Sequence, residues 1–262
     1  MMGPLVLATA TSVGDVIAVV GACLVAGAVN ALAGGGSLLS YPTMVAVGLG
    51  PVSANVSNTL ALWPGYLSGA ATLRKRVAEV DADAGARLPA YAAAAALGAV
   101  GGTILLLVGD PDTFEAVVPF LVVMAALLLA VPERWLERLR NHPRAGGTPA
   151  ALTGVTVAGA YGAYFGGGLG VILLAVLNAF VGSGLRGLNA MKAVLSLLIN
   201  TVALVAFVGF GPVTWWAVAA GAPAALVGGL VGARLADRVE IGLLRRAVVV
   251  LGVAAGIALL VT

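Results

Sequence analysis

Residues 27–37 have the sequence GAVNALAGGGS, and residues 159–169 have the sequence GAYGAYFGGGL. The two stretches align at an offset of 132, which superimposes one glycine triplet on the other. A glycine triplet allows the backbone to leave a helix, because glycine tolerates conformations that other residues avoid. In both places a short apolar segment follows the triplet. The pattern predicts a duplicated helical fold with a helix break at the same point of each copy.

The repeat continues beyond the triplets. The offset there becomes 134, which requires a two-residue insertion, and it pairs Asn55 with Asn189, Asn58 with Lys192, Pro89 with Pro223 and Gly98 with Gly232. A constant offset over so long a stretch is hard to obtain by chance. We therefore predict an N-terminal transmembrane repeat at 1–132 and a C-terminal one at 149–262, joined by a basic cytoplasmic linker at 133–148.

The composition places both repeats in a membrane. Of the 262 residues, 61% are hydrophobic and only 10% are charged, whereas soluble domains carry about 25% charged residues. Apolar runs of about 20 residues are long enough to cross a bilayer. We predict an all-α, multi-pass integral membrane protein with about ten transmembrane segments at 12–33, 37–50, 52–73, 87–109, 114–132, 149–166, 168–182, 187–210, 213–235 and 241–261. The short segments, 37–50 and 168–182, either span the membrane or are re-entrant.

The basic residues indicate how the two repeats are oriented. Five spans in each half make the second repeat inverted relative to the first. Under this topology, every Lys and Arg except Lys192 faces the cytoplasm, as the positive-inside rule requires. These residues are Arg74, Lys75, Arg76, Arg87, Arg134, Arg138, Arg140, Arg144, Arg186, Arg234, Arg238, Arg245 and Arg246. Parallel repeats would place 234–246 outside, so we predict inverted repeats with both termini extracytoplasmic. The same reasoning explains the net charge of +3 without a nucleic-acid partner.

The residues that usually carry catalysis or bind metals are scarce. Cys23 is the only cysteine and His142 the only histidine, and His142 lies in the basic linker. The chain has no P-loop, no HExxH motif and no Ser/His/Asp set. We therefore expect no catalytic residues, no metal site and no cofactor.

One charge lies inside a predicted span. Asn189, Lys192, Ser196 and Asn200 follow the spacing i, i+3, i+7, i+11, which places them on one helix face. Intramembrane charges usually face a cavity or a partner, so this polar stripe predicts a substrate site. No Asp or Glu lies deep in any span, which favours an anion as the substrate. The alternative is that Lys192 extends its ammonium group to the cytoplasmic surface.

The matching face of the first repeat carries Asn55 and Asn58, with Ser57 and Trp63 beside them. Their amides and hydroxyls can donate hydrogen bonds to an anion, although such groups also hold transmembrane helices together. The sequence Trp63-Pro64-Gly65 predicts a kink or a break in that helix.

The glycine triplets complete the predicted site. Exposed amides at the start of a helix favour an anion, and irregular backbone is tolerated at membrane depth where it lines a cavity. We predict that an anion is cradled by backbone amides of Gly34, Gly35, Gly36 and Ser37, and of Gly166, Gly167 and Gly168. Tight turns or close helix packing are the alternative use of these glycines.

These motifs resemble the TauE/SafE sulfite exporter family, also called TSUP permeases. The resemblance lies in Asn30-Ala31-Leu32-Ala33-Gly34-Gly35-Gly36-Ser37 with Tyr41-Pro42, in Ala54-Asn55-Val56-Ser57-Asn58-Thr59, and in the second-half triplet with Leu188-Asn189-Ala190-Met191-Lys192. It covers nearly the whole chain. The resemblance implies secondary transport of sulfite, sulfonates, thiosulfate or related anions across a prokaryotic inner membrane.

Taken together, these patterns predict a secondary transporter of small sulfur-containing anions that works by alternating access, with a small anionic substrate and the lipid bilayer as its partners. An anion channel, or a carrier of another small anion or organic acid, is the alternative, and a homodimer is left open. An intramembrane enzyme would need a buried nucleophile and base, which the sequence lacks. A scaffold would need larger loops outside the membrane.

Overall fold

The computed structural model describes residues 12–32, 34–73, 85–131, 147–181, 185–235 and 241–261. Within these ranges the fold is helical. The ten helices are α1 (Val13–Leu32), α2 (Ser37–Ala46), α3 (Pro51–Leu73), α4 (Leu88–Val108), α5 (Pro111–Ala130), α6 (Gly147–Tyr164), α7 (Leu169–Phe180), α8 (Leu185–Phe210), α9 (Trp215–Leu235) and α10 (Ile241–Val261). Each coincides with one predicted segment. Most of the predicted linker 133–148, including His142 and Arg140, lies outside the described residues.

Local sequence signals set several helix starts. At α1, the Ser12 hydroxyl accepts the Asp15 amide at 3.1 Å while the Asp15 carboxylate accepts the Ser12 amide at 2.8 Å, which is a reciprocal cap of the first turn. At α5, the Asp110 carboxylate accepts the Thr113 amide at 3.2 Å, and Pro111 follows as the first helical residue. Side chains therefore satisfy backbone donors that these two helix ends leave free.

Five helices are long and apolar enough to cross a bilayer, namely α1, α4, α5, α8 and α9. Large apolar side chains on their outer faces are exposed, among them Leu97, Val108, Phe120 and Phe210. In a membrane such faces contact lipid, where apolar exposure has no cost. The described part of the chain is thus an all-helical membrane protein.

Small residues bring the long helices together. α1 packs along α9, and α4 packs along α6. α3 packs against α9, α8 packs against α4, and α3 and α8 contact each other. A Cβ atom placed on Gly228 of α9 would lie 2.0 Å from the Leu24 carbonyl oxygen of α1. A Cβ atom on Gly98 of α4 would lie 2.0 Å from the Thr156 carbonyl oxygen of α6. Both contacts depend on glycine for close backbone approach, the usual basis of helix association in lipid.

This packing predicts opposite results for two adjacent glycines of α4. Gly102→Ala places a Cβ atom 2.0 Å from the Ala160 carbonyl oxygen, so α4 and α6 must separate, and overpacking of this kind costs about 1–3 kcal/mol. Gly101→Ala meets nothing within 4 Å, and the higher helix preference of alanine stabilises by up to about 1 kcal/mol. Thermal unfolding in detergent should show a loss only for Gly102→Ala, and equal behaviour of the two variants would contradict this packing.

Each of the two short helices follows a helix break, a short non-helical segment after the preceding helix. α1 ends at Leu32 before α2 begins at Ser37, and α6 ends at Tyr164 before α7 begins at Leu169. Glycines with positive φ lie in each break: Gly34 (72°) and Gly35 (130°) in the first, and Gly166 (81°) and Gly168 (73°) in the second. The prediction of helix breaks at both triplets is confirmed. By contrast, α3 runs unbroken from Pro51 to Leu73 with Pro64 inside it, so the Trp63-Pro64-Gly65 step does not break the helix.

Candidate anion site

A small cavity lies where the first break meets α3, α7 and α8. Its polar lining consists of Asn30, Tyr66, Lys192 and Ser196, and the backbones of Gly34 and Gly170 form part of its wall. The volume is about 20 Å³, and a single water molecule needs about 10–15 Å³ on the same measure. The cavity therefore has room for about one water in this conformation.

Lys192 carries the charge of the cavity. Its side chain is 3% exposed, and its Nζ atom is buried without a hydrogen-bond partner among the described residues. The ammonium thus does not extend to the membrane surface, which was the alternative interpretation from the sequence. An unpaired buried ammonium is costly, so the site is incomplete without a group that accepts its hydrogen bonds.

Asn30, near the end of α1, adds a second free donor. Its Oδ1 atom accepts the amides of Gly35 at 3.1 Å and Gly36 at 2.7 Å. Because two backbone N–H groups point at it, that atom is the oxygen, and the Nδ2 donor is left over. The Nδ2 atom is buried and has no hydrogen-bond partner in the part of the chain that the structure describes. Asn30 therefore fixes the helix break with one side of its amide and can donate to a ligand with the other.

Hydroxyl groups close the cavity on the α3 and α8 sides. The Tyr66 hydroxyl lies close to the side chains of Ser37, Asn200 and Asn30. Asn200 also donates its Nδ2 group to the Ser196 carbonyl at 2.8 Å, within α8. Tyr66 thereby connects the first break to the polar stripe of α8.

Of the predicted substrate residues, Lys192, Ser196 and Gly34 line this cavity, while Ser37 and Asn200 reach its edge through Tyr66. Three others make contacts between helices. Asn55 donates to the Tyr164 carbonyl at 2.9 Å, the Ser57 hydroxyl accepts the Thr214 amide at 2.8 Å, and the Trp63 indole donates to the Thr201 hydroxyl at 2.8 Å. These contacts attach α3 to the end of α6, to the start of α9 and to α8. Asn58 is buried with its Oδ1 atom unpartnered, and neither it nor Asn189 lines the cavity.

The glycine triplets are arranged differently from the predicted amide cradle. In the first triplet the Gly35 and Gly36 amides already donate to Asn30. In the second triplet the Gly167 carbonyl accepts the Tyr161 hydroxyl at 2.6 Å, and Gly166 and Gly168 stay out of the cavity lining. We predicted that these amides bind a ligand, whereas four of them, those of Gly34, Gly35, Gly36 and Gly166, donate hydrogen bonds within the protein that shape the two breaks.

Gly170, just after the second triplet, reaches the site instead. A Cβ atom on Gly170 would lie 2.8 Å from the Gly34 Cα atom and 3.6 Å from the Lys192 Cδ atom. The sequence analysis did not select Gly170, Asn30 or Tyr66 as binding residues. Asn30 has no polar counterpart in the second repeat, where the matching position is Gly162, so repeat matching could not detect it. Its signals were its place four residues before a glycine triplet and its presence in the motif that resembles the family.

The chemistry of the cavity suits an anion. Lys192 and Asn30 offer unpartnered N–H groups, Tyr66 and Ser196 add hydroxyls, and no carboxylate is among the lining residues. Within the described ranges no group of acidic, His or Cys residues could hold a metal ion. A multi-pass helical bundle with a buried polar cavity of this kind has the features of a membrane transporter.

Comparison with known proteins gives the family. The model of the sulfite exporter TauE/SafE family matches residues 19–259, and the chain belongs to this family. It is therefore a membrane transporter and not a member of an enzyme family, as the motif resemblance predicted.

Several relatives carry similar names. The probable membrane transporter protein ORF9 of Sinorhizobium sp is 30% identical over 195 residues, covering 74% of this chain and 72% of that protein. The probable membrane transporter protein YfcA of Escherichia coli K12 is 27% identical over 215 residues, covering 82% and 77%. A probable membrane transporter protein of Haemophilus influenzae is 27% identical over 195 residues, covering 73% of each chain. No solved structure matches.

Proposed function

We propose that the chain is a secondary transporter of small sulfur-containing anions, sulfite, sulfonates or related species, that works by alternating access. The observation that carries this proposal is the pair of buried, unpartnered donors, Lys192 Nζ and Asn30 Nδ2, in a cavity without a carboxylate. An oxyanion with several acceptor atoms would satisfy both donors at once. The family model, whose name refers to sulfite export, supports a sulfur oxyanion among the small anions.

A carrier is favoured over a channel by the closure of the site. A Cβ atom on Gly34 would lie 2.7 Å from the Gly170 Cα atom, so the two backbones are in direct contact beside Lys192. The free volume of about 20 Å³ is too small for a multi-atom oxyanion. Movement of the surrounding helices is therefore required for an anion to enter, as in alternating access.

Inverted repeats would supply this movement, and matched details in the two halves support them. Gly34 and Gly166, equivalent at the offset of 132, both have left-handed φ angles, 72° and 81°. Each donates its amide to the carbonyl five residues earlier, Gly34 to Val29 at 3.0 Å and Gly166 to Tyr161 at 3.3 Å. Helix packing matches as well. α1 packs against α9, and their counterparts in the other repeat, α6 and α4, pack against each other. The proposal includes one half moving against the other around Lys192.

The topology can be tested with single cysteines. Cys23 is buried against Gly221, so a Cys23→Ala background removes the one native thiol. With both termini extracytoplasmic, Gly242→Cys should react with an impermeant maleimide only after permeabilisation, while Asp112→Cys should react in intact cells. Both sites are exposed, and a Cβ atom added at Gly242 meets no described atom within 4 Å. External labelling at position 242 would exclude the proposed inverted topology.

The substrate class can be tested by uptake into proteoliposomes. Labelled sulfite uptake should be inhibited by unlabelled sulfite, thiosulfate and a small sulfonate, and much less by acetate or lactate. Inhibition by the organic acids alone would favour the alternative, a carrier of another anion. No uptake of any of these anions above that of empty liposomes would exclude the proposed function.

A further inference from the structure

The ionisable groups around Lys192 suggest what accompanies the anion, an inference that rests on the proposed function. α8 packs against α3, α4, α6 and α7, and α1 contributes Asn30 to the cavity. The titratable or charged residues on these elements, within the described ranges, are Tyr66 on α3, Arg87 and Tyr91 at α4, Tyr161 and Tyr164 on α6, Asp15 and Cys23 on α1, and Arg186 on α8 itself.

None of these groups neutralises Lys192. Tyr66 lies close to neutral side chains, Arg87 bonds with Thr148, and Asp15 caps the first turn of α1. Tyr161 donates to Gly167, and Cys23 lies against Gly221 of α9. Tyr91 and Tyr164 contribute phenol groups and no carboxylate, and Arg186 would repel an ammonium. The Lys192 ammonium therefore has no counter-charge in the described part of the protein.

As a consequence, the binding of a proton to Lys192 is linked to the binding of the anion. A charged side chain at membrane depth costs about 2.5–3.5 kcal/mol even on the most permissive scale, and a neutral amine avoids that cost. With an anion in the cavity the ammonium form gains a counter-ion and acceptors for its N–H groups. Anion and proton then favour each other, and such a coupling is reciprocal by thermodynamic necessity.

We propose that Lys192 couples transport to protons, so that the anion and one proton bind, cross and leave together. The proton comes from water on the side to which the site is open and is held on the Nζ lone pair. It returns to water on the other side when the anion leaves, and the neutral amine then occupies the closed, empty site. A monovalent anion would cross without net charge, and a divalent anion would carry one net negative charge.

The test uses labelled thiosulfate, which does not titrate near neutral pH and so cannot carry the proton itself. In wild-type proteoliposomes, an inward proton gradient should drive thiosulfate above its equilibrium level. A trapped pH dye should report entry of one proton per thiosulfate. Arg186→Gln, which removes an exposed charge six residues before Lys192 on the same helix, should preserve that ratio.

Lys192→Arg separates the charge from the proton, because arginine stays protonated at all accessible pH values. We expect slower thiosulfate exchange that no longer follows pH, and no accumulation driven by the proton gradient. Wild-type uptake without proton entry would overturn the coupling and leave anion transport intact. Retained proton coupling in Lys192→Arg would overturn the role of Lys192. Absence of thiosulfate and sulfite transport together would remove the proposed function, and with it this inference.

Discussion

Lys192→Ala is expected to weaken anion binding by at least about tenfold while the protein remains folded. A hydrogen bond to a charged group contributes about 1.5–3 kcal/mol, and 1.4 kcal/mol corresponds to a factor of ten. Because the Nζ atom is buried and has no hydrogen-bond partner in the described part of the protein, its removal should not lower the free energy of unfolding through lost hydrogen bonds. Equilibrium binding of labelled sulfite in detergent, with thermal unfolding of the same sample, measures both effects.

Lys192→Met is the matched control for this prediction, because methionine retains most of the apolar stem and removes only the charge. We expect Lys192→Met to bind as poorly as Lys192→Ala and to be at least as stable as wild type. A buried amine or ammonium without a hydrogen-bond partner costs free energy that an apolar group at the same place does not. Normal sulfite binding by Lys192→Met would show that the cavity is not the anion site.

Gly34→Ala is expected to damage both the fold and the site. Gly34 has a φ of 72°, and its added Cβ atom would lie 2.7 Å from the Gly170 Cα atom. The left-handed backbone costs about 1–2 kcal/mol for a residue with a Cβ atom, and forced overpacking costs about 1–3 kcal/mol. We therefore expect a loss of about 2–5 kcal/mol in unfolding free energy and a larger loss of transport than that instability explains.

Gly48→Ala separates the two causes. Gly48, after α2, has a φ of 92°, but nothing lies within 4 Å of its added Cβ atom. It should lose only the stability that backbone strain explains, and its transport per folded molecule should equal that of wild type. If the two variants lose transport equally at equal stability, the contact between Gly34 and Gly170 has no special role in the transport cycle.

The helices could be predicted from the sequence because the lipid environment restricts the backbone to a few structures. Every backbone group must be bonded within the membrane, so apolar runs of sufficient length become helices, and each predicted segment has its counterpart in α1 to α10. The breaks at Gly34 and Gly166 were equally readable, since glycine triplets stand out from an apolar pattern. The repeat alignment also matched these two positions, which share the same backbone conformation.

The candidate site could be predicted only in part from the sequence. Lys192 and Ser196 were found because a polar stripe on a helix has a regular period, and both line the cavity. Asn55, Ser57 and Trp63 lie on or beside the matching face of the first repeat, but their side chains form hydrogen bonds that connect helices. A sequence cannot distinguish these roles, because they depend on which carbonyl or hydroxyl of another helix lies opposite.

Asn30 and Gly170 were missed for a related reason. Asn30 contributes through a side-chain amide whose oxygen accepts the Gly35 and Gly36 N–H groups and whose Nδ2 donor has no partner among the described residues. Gly170 contributes by allowing a backbone crossing with Gly34. Both properties arise from contacts at the helix breaks around the glycine triplets, where helical periodicity gives no information.

Counterflow in proteoliposomes tests the central claim most directly. Vesicles that contain wild-type protein are preloaded with unlabelled sulfite and diluted into labelled sulfite. Alternating access at Lys192 predicts that preloading accelerates entry of the label, and that Lys192→Ala abolishes this acceleration although the protein is folded and inserted. Label entry that is independent of preloading, or equal acceleration in wild type and Lys192→Ala, would contradict the account.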